Sequence, residues 1–203
     1  MNIGIYGGTF NPIHYGHIGM AIWTLAHSGL DELWLMVTPG NPLKDGQMLA
    51  RNEQERLKLA RQAVGDAEVE HADELAGKRL SVSDFEFSLP RPSYTAQTLQ
   101  ALQVRYPQHQ FSLLIGEDNL RCFKRWREWQ WIARNFTVYV YPRRETAIAQ
   151  EQTLNESGRT EACMEESNEN MQPAVDQFGN LVFFADAPCF DISSTELRAR
   201  KNR

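Results

Sequence analysis

The chain has 203 residues, of which 42% are hydrophobic and 23% charged, and this size suits one globular domain. Its formal net charge of −5 disfavours a protein whose whole surface binds nucleic acid, because that affinity comes largely from counterions displaced by basic side chains. No stretch approaches the roughly 20 apolar residues of a membrane helix, and residues 1–6 lack the basic start and apolar core of a signal peptide. We therefore expect a cytoplasmic protein that handles small anions, with neither a membrane nor a nucleic acid as partner.

The acidic charge is concentrated in residues 145–177, which contain eight acidic residues and one basic residue. This composition predicts a loop or a loosely packed, mobile helix. The three cysteines, Cys122, Cys163 and Cys189, are odd in number and lack C-x-x-C spacing. We therefore expect reduced thiols rather than a disulfide framework or a cysteine zinc site.

Strand-like and helix-like segments alternate along the chain, as judged from short apolar runs and from apolar residues at helical spacing. The predicted strands are residues 2–6, 33–37, 82–87, 111–115, 136–141 and 181–185. The predicted helices are residues 16–27, 52–64, 93–105 and 126–134, and a last helix begins at Ser193. We expect Asn52 and Ser93 to cap the second and third of them. The alternation predicts an α/β fold with a Rossmann-like, doubly wound, mostly parallel sheet in a single domain spanning residues 1–203.

Residues suited to chemistry follow four of the predicted strands. They are residues 7–17, 38–44, 116–119 and 193–198. Ligands of doubly wound sheets bind beyond the carboxyl ends of the strands. We therefore expect these four segments to gather at one edge of the sheet.

The first segment reads Gly-Gly-Thr-Phe-Asn-Pro-Ile-His-Tyr-Gly-His and joins the first strand to the first helix. Glycines let a backbone approach phosphate oxygens, and the amino end of a helix offers free N–H groups. His14 and His17 are three residues apart, so both project from one side of the first helical turn and can donate to phosphate. The segment is neither a Walker loop nor G-x-G-x-x-G. A zinc site is disfavoured because no third ligand lies nearby; the simpler alternative is a glycine turn with two surface histidines.

The last segment, Ile-Ser-Ser-Thr-Glu-Leu-Arg at residues 192–198, also begins a helix. Its hydroxyls and backbone N–H groups can cap the helix or bind anions, and Arg198 can contact a phosphate with two nitrogens. A plain capping box with a solvated arginine is the alternative for this segment taken alone.

Together these motifs resemble the HxGH and ISSTxxR elements of a nucleotidyltransferase superfamily. Within it the chain is most similar to the bacterial nicotinate mononucleotide adenylyltransferases, through residues 7–12, 92–99 and 115–119 and through Trp126. The similarity spans residues 1–143 and 180–198. It implies transfer of the adenylyl group of ATP to nicotinate mononucleotide by direct in-line attack, giving deamido-NAD and pyrophosphate in NAD biosynthesis. Mg²⁺ would arrive on the ATP phosphates rather than in a protein cage.

The resemblance also implies roles for individual residues. The catalytic residues, which would neutralise the triphosphate and the leaving pyrophosphate, are His14, His17, Lys44 and Arg198. ATP would contact Gly7, Gly8, Thr9, Phe10, Ser193, Ser194 and Thr195. The mononucleotide would contact Asn41, Tyr94, Thr95, Gly116, Asp118 and Trp126. In that arrangement the tryptophan stacks on the pyridine ring, Asp118 holds a ribose hydroxyl, and the nicotinate carboxylate lies at the helix start of Tyr94 and Thr95.

Three alternatives stay open on the sequence. Trp126 could be a core or surface aromatic, since Trp129 and Trp131 are close by. Residues 121–144 mix seven basic and seven aromatic residues, a combination that can bind single-stranded nucleic acid. A sister transferase that adenylates phosphopantetheine, or that uses CTP on an alcohol phosphate, would share the phosphate-binding motifs.

Overall fold

A computed structural model describes residues 1–40, 52–142 and 179–190 of the chain. The strands in these ranges are β1 (Asn2–Gly8), β2 (Glu32–Val37), β3 (Arg79–Ser83), β4 (Gln110–Gly116), β5 (Val138–Tyr141) and β6 (Leu181–Phe183). The helices are α1 (Tyr15–Ala26), α2 (Glu53–Glu70), α3 (Ala72–Leu75), α4 (Thr95–Arg105), α5 (Glu117–Arg121) and α6 (Trp129–Asn135). Two 3-10 turns, Phe85–Ser88 and Phe123–Arg125, precede α4 and α6.

The strands form one sheet in the order β3-β2-β1-β4-β5-β6, and every neighbouring pair is parallel. Ile5 of β1 lies opposite Trp34 of β2 on one side and Leu113 of β4 on the other. The strand order reverses between β1 and β4, which is the arrangement of a doubly wound sheet. The predicted α/β fold with a Rossmann-like parallel sheet is confirmed.

Side chains of the central strands alternate between two apolar layers. In β2, Leu33 and Leu35 pack into the layer that contains residues of α1, α2 and α3, while Met36 packs into the layer that contains residues of α4 and α6. In β4, Leu114 joins the first layer and Leu113 the second. Both faces of the sheet are therefore covered by helices, which explains why its strands are continuous apolar runs.

The predicted elements need four corrections. The strand lies at Arg79–Ser83 rather than at residues 82–87, because Phe85–Ser88 form a 3-10 turn in which Glu86 is only 6% exposed. The helix expected at 126–134 begins at Trp129, and the short helix α5 was not predicted. Ser93 does not cap α4; its cap residue is Tyr94.

Other predictions of local structure hold. Asn52 caps α2, because its side-chain oxygen accepts from the backbone N–H of Glu55 at 2.8 Å. Helix α2 then runs to Glu70, six residues beyond the predicted end. Residues 145–177 and the helix predicted from Ser193 lie outside the described residues.

Two expectations from composition have different outcomes. Within the described residues, no helix is long and apolar enough to cross a bilayer. The expectation of reduced thiols is wrong for Cys122, which is disulfide-bonded, whereas Cys189 is free.

Candidate active site

A cleft opens at the carboxyl end of the sheet, where β1 and β4 are neighbours and the strand order reverses. The ends of β1 and β2 supply one wall, with Gly7, Gly8, Thr9, Thr38 and Gly40. The other wall is built from the segment around the start of α4 and from the chain before α6, with Glu86, Ser93, Tyr94, Thr95, Trp126 and Arg127. This is the position at which doubly wound sheets bind their ligands.

The glycine turn after β1 leaves room for a ligand. A Cβ atom at Gly7 would meet no protein atom within 4 Å, so a side chain there would project into the open cleft. Gly8 instead lies close to the ring of Phe10, whose Cζ atom would be 3.0 Å from a Cβ at that position. Phe10 is 2% exposed and belongs to the core, so its side chain is not part of the cleft lining.

His14 and His17 lie side by side at the amino end of α1, as their spacing predicts. Their ring centroids are 3.7 Å apart and the planes are inclined by 32°. The backbone N–H of His14 donates to Nδ1 of His17 at 3.3 Å. Since Nδ1 accepts this bond, the proton of the neutral His17 ring is on Nε2, where it can be donated to a phosphate oxygen. No group of three metal-ligating side chains occurs in the part of the chain that the structure describes.

The amino end of α4 lies in the opposite wall. Tyr94 is the cap residue, Thr95 is the first helical residue, and both line the cleft. The guanidinium of Arg127 lies over the Tyr94 ring, 5.2 Å from its centroid. An anion placed there meets free backbone N–H groups together with a nearby positive charge.

Trp126 lines the same cleft and precedes α6. One side of its indole packs on Phe123, with ring centroids 5.2 Å apart. Its Nε1 atom is buried without a hydrogen-bond partner. The indole is therefore a half-buried surface that leaves its polar atom for a ligand, which favours a binding role over a purely structural one.

Gly116 and Asp118 follow β4 at the margin of the cleft. Gly116 caps α5, and a Cβ there would be within contact distance of the Asp118 carboxylate, so glycine lets this carboxylate fold back over the backbone. The Asp118 side chain is exposed, and its neighbour Asn119 lines the cleft.

The described chain that precedes the predicted motif at residues 192–198 packs against α1. The Phe190 ring lies over Gly19 and close to Tyr15, with ring centroids 6.4 Å apart in the second pair. Tyr141 ties this segment to β5, since its hydroxyl donates to the carbonyl of Pro188 at 2.6 Å and its burial raises the pKa of the phenol. Phe190, which is two residues before Ile192 in the sequence, thus contacts the amino half of α1.

Comparison with known proteins identifies the family. The cytidylyltransferase-like family matches residues 5–200. A probable nicotinate-nucleotide adenylyltransferase of Flavobacterium johnsoniae is 43% identical over 143 residues, which are 70% of this chain and 68% of the relative. Another, from Bacteroides fragilis, is 38% identical over 195 residues, 96% and 79% of the two chains. The chain belongs to the nicotinate-nucleotide adenylyltransferases of the cytidylyltransferase-like family.

A solved structure shares the fold of this adenylyltransferase-family chain. The Plasmodium falciparum nicotinic acid mononucleotide adenylyltransferase, complexed with NaAD, superposes with a TM-score of 0.64 over 98% of this chain and 82% of its own. The two sequences are 16% identical, so this likeness concerns the architecture alone.

Several predicted site residues of this adenylyltransferase-family chain lie outside the described ranges, so their placement stays a prediction. They are Asn41, Lys44, Ser193, Ser194, Thr195 and Arg198. In the described part, the glycine turn, the start of α4 and Trp126 line one cleft, whereas His14 and His17 lie together at the amino end of α1 and are not among the residues that line it.

Sequence analysis missed Glu86. Its carboxyl group is 6% exposed, Oε1 accepts from the Thr98 hydroxyl at 2.7 Å, and Oε2 is buried without a hydrogen-bond partner. Loss of hydration raises the pKa of this carboxyl, although the hydroxyls of Thr38 and Thr98 oppose the shift. The Ser93 hydroxyl is also buried without a partner in this wall. Ser93 lies within the motif at residues 92–99 and Glu86 within the strand predicted at residues 82–87, but no spacing rule indicated that their polar side chains line the cleft.

The basic-aromatic run at 121–144 divides between the core and the cleft. Phe123, Phe136 and Tyr141 are at most 2% exposed, so their rings cannot stack on nucleic-acid bases. Arg125 and Trp126 face the cleft instead. The described part of the run therefore contributes aromatic rings to the core and side chains to the cleft.

Proposed function

We propose that this protein transfers the adenylyl group of ATP to nicotinate mononucleotide, giving deamido-NAD and pyrophosphate as a step of NAD biosynthesis. The supporting observation is one cleft in which the glycine turn leading to His14 and His17 faces the start of α4 beside Trp126. The first wall suits a triphosphate, because it offers open backbone at the glycine turn, and that turn leads to the imidazoles of His14 and His17 at the amino end of α1. The second suits a planar ring that carries an anionic group, because an indole face adjoins a helix amino end.

The reaction needs no nucleophile from the protein. A phosphate oxygen of the mononucleotide attacks the α-phosphorus of ATP while the bond from that phosphorus to the bridging oxygen breaks. One P–O bond forms, one breaks, and pyrophosphate leaves with the electron pair. The protein aligns the two phosphates and offsets developing negative charge, and these effects are large in a confined site.

Four basic side chains would share this work, two of them described by the structure and two predicted from the sequence motifs. His17 would donate its Nε2 proton to a phosphate oxygen, and His14 would lie against it at the same helix end. Lys44 and Arg198 would add positive charge to the triphosphate and pyrophosphate. Mg²⁺ would enter as the Mg-ATP complex, since this ion commonly keeps water and phosphate oxygens as ligands.

Preference for the acid over the amide would come from the wall that holds the ring. A carboxylate gains from the free N–H groups and partial positive charge at the start of α4, where Thr95 is the first helical residue. A neutral carboxamide gains less from the same field. The half-buried Ser93 hydroxyl and Trp126 Nε1 supply two further donors without partners.

A substrate panel tests the proposal. Purified protein is given nicotinate mononucleotide, its amide or phosphopantetheine, each with Mg-ATP or Mg-CTP, and pyrophosphate release is followed. We expect the highest kcat/KM with ATP and nicotinate mononucleotide. Equal or greater turnover of the amide would overturn the acid preference, and preferred use of CTP or phosphopantetheine would place the chain among the sister transferases.

A further inference from the structure

Arg56 is a fully buried cation whose partners are backbone carbonyls. It lies on α2 with 0% exposure, and its Nη1 donates to the carbonyl oxygens of Thr9 at 2.5 Å and Thr38 at 2.8 Å. Its Nη2 donates to the carbonyl of Pro39 at 3.0 Å. A buried charge is costly unless its donors are satisfied, so these bonds constrain all the peptides concerned.

The three carbonyls come from two loops that border the cleft. Thr9 belongs to the turn after β1, which leads to His14, whereas Thr38 and Pro39 follow β2. Glu53 adds an attraction of opposite charge to Arg56, but its carboxylate is paired with Arg91 at 2.8 Å. The guanidinium therefore holds the two loops together rather than completing an ion pair of its own.

The Thr9 carbonyl also fixes the backbone of Phe10. In a planar trans peptide the carbonyl and the following N–H point in opposite directions, so the Phe10 N–H is directed away from Arg56. Phe10 has a φ of 43°, in the left-handed region that bulky residues seldom adopt and that costs free energy. Such a conformation persists only where surrounding contacts enforce it, and the bond from Arg56 is one of them.

Phe10 in turn supports the His17 ring. The two rings meet edge to face, with centroids 5.1 Å apart and planes inclined by 88°. On its other side Phe10 packs against Tyr6 at 5.5 Å. A continuous set of contacts therefore leads from the Arg56 guanidinium through Thr9 and Phe10 to the His17 imidazole.

We propose that Arg56 is a positioning residue for adenylyl transfer. Its guanidinium sets the loop after β1 against the loop after β2, and through Phe10 it fixes the orientation of the His17 ring. This role rests on the proposed function for its kinetic consequence, but its effect on His17 is independent of which substrate is used. Lysine would not reproduce this arrangement, because it lacks the second nitrogen that donates to Pro39 and the planar fork that sets the directions of the three bonds.

The test compares Arg56→Lys and Arg56→Met with two matched controls on α2. Leu57→Ala removes a neighbouring core side chain that is 3% exposed, and so lowers stability while keeping the Arg56 guanidinium and its carbonyl partners. Arg61→Met removes a surface arginine whose side chain is 57% exposed and which pairs with Asp84. Kinetic constants are measured with Mg-ATP and nicotinate mononucleotide, and the ¹⁵N shifts of the His17 ring are read by NMR, with His17→Ala providing the assignment.

Both Arg56 variants should lower kcat by about 10²-fold, the loss typical of misplacing reacting groups by about 1 Å. Their His17 shifts should move from those of a ring protonated at Nε2 towards those of exchanging tautomers. Leu57→Ala should melt at a lower temperature yet keep the wild-type His17 shifts and kcat, and Arg61→Met should match the wild type.

Two results would overturn the proposal. One is an Arg56 variant with wild-type His17 shifts and a kcat within twofold of wild type. The other is a Leu57→Ala protein that loses kcat and shifts His17 as much as Arg56→Lys does, since Arg56 would then act only through stability. If Arg56→Met does not fold, the kcat and the His17 shifts of Arg56→Lys test the proposal. Absence of turnover in the wild type would refute the proposed function, while the NMR comparison would still test Arg56.

Discussion

Replacing Gly19 by alanine tests the contact between α1 and Phe190, in the chain that precedes residues 192–198. An ideal Cβ at Gly19 would lie 2.2 Å from Cζ and 2.6 Å from Cε1 of Phe190, whereas a Cβ at Gly65 would meet no atom within 4 Å. Both glycines are helical, in α1 and α2, so alanine gains about 1 kcal/mol of helix propensity at either position. Gly65→Ala is therefore the matched control.

At Gly19 the gain is opposed by overpacking. The ring must retreat by roughly 1.5 Å to reach an ordinary carbon–carbon contact, and forced shifts of this kind cost about 1–3 kcal/mol. We expect Gly19→Ala to change the free energy of unfolding by between about 0 and −2 kcal/mol, and Gly65→Ala to raise it by about 0.4–1 kcal/mol. In a chain of this size 1 kcal/mol corresponds to roughly 2–4 °C in Tm.

Urea unfolding followed by circular dichroism measures the stabilities, and initial rates of pyrophosphate release measure function. Phe190 lies two residues before the segment at residues 192–198, which is predicted to contact ATP. Gly19→Ala should therefore raise KM for ATP more than KM for the mononucleotide. Gly65→Ala should keep wild-type kinetics. If Gly19→Ala is as stable as Gly65→Ala and its KM for ATP is unchanged, then Phe190 is not held tightly against α1 and the reasoning fails.

Three further substitutions probe the cleft itself. His17→Ala should nearly abolish turnover with unchanged circular dichroism, because the Nε2 donor is lost; near-normal turnover would remove its assigned role. Trp126→Ala should raise KM for the mononucleotide more than for ATP, and the reverse split would place the indole elsewhere. Burial raises the pKa of Glu86. Above pH 4.5 the unfolded chain therefore loses the Glu86 proton while the native state keeps it. The free energy of unfolding then falls as the pH rises, until Glu86 also ionises in the native state. Glu86→Gln has no titrating group at this position, so its free energy of unfolding relative to wild type should rise as the pH increases from about 4 to about 7. Urea unfolding at each pH measures this difference between variant and wild type, and a difference that does not vary with pH would contradict the raised pKa.

The sequence by itself determined the fold class and the place of the site. Apolar runs such as residues 33–37 and the glycine turn at residues 7–17 are local patterns. They can be recognised in the sequence without knowledge of tertiary packing. They led to a parallel sheet and to its carboxyl edge, where the structure places the glycine turn and the start of α4 around one cleft.

Only the tertiary structure decided which polar side chains are buried. Arg56 reads as an ordinary charged residue of an amphipathic helix, and Glu86 as the polar position of an alternating strand. Their burial depends on Thr9 and Thr38, which lie far away in the chain, and on Thr98 across the cleft wall. A charged group is stable inside a protein only when distant partners converge on it, and no periodicity in the sequence records that convergence.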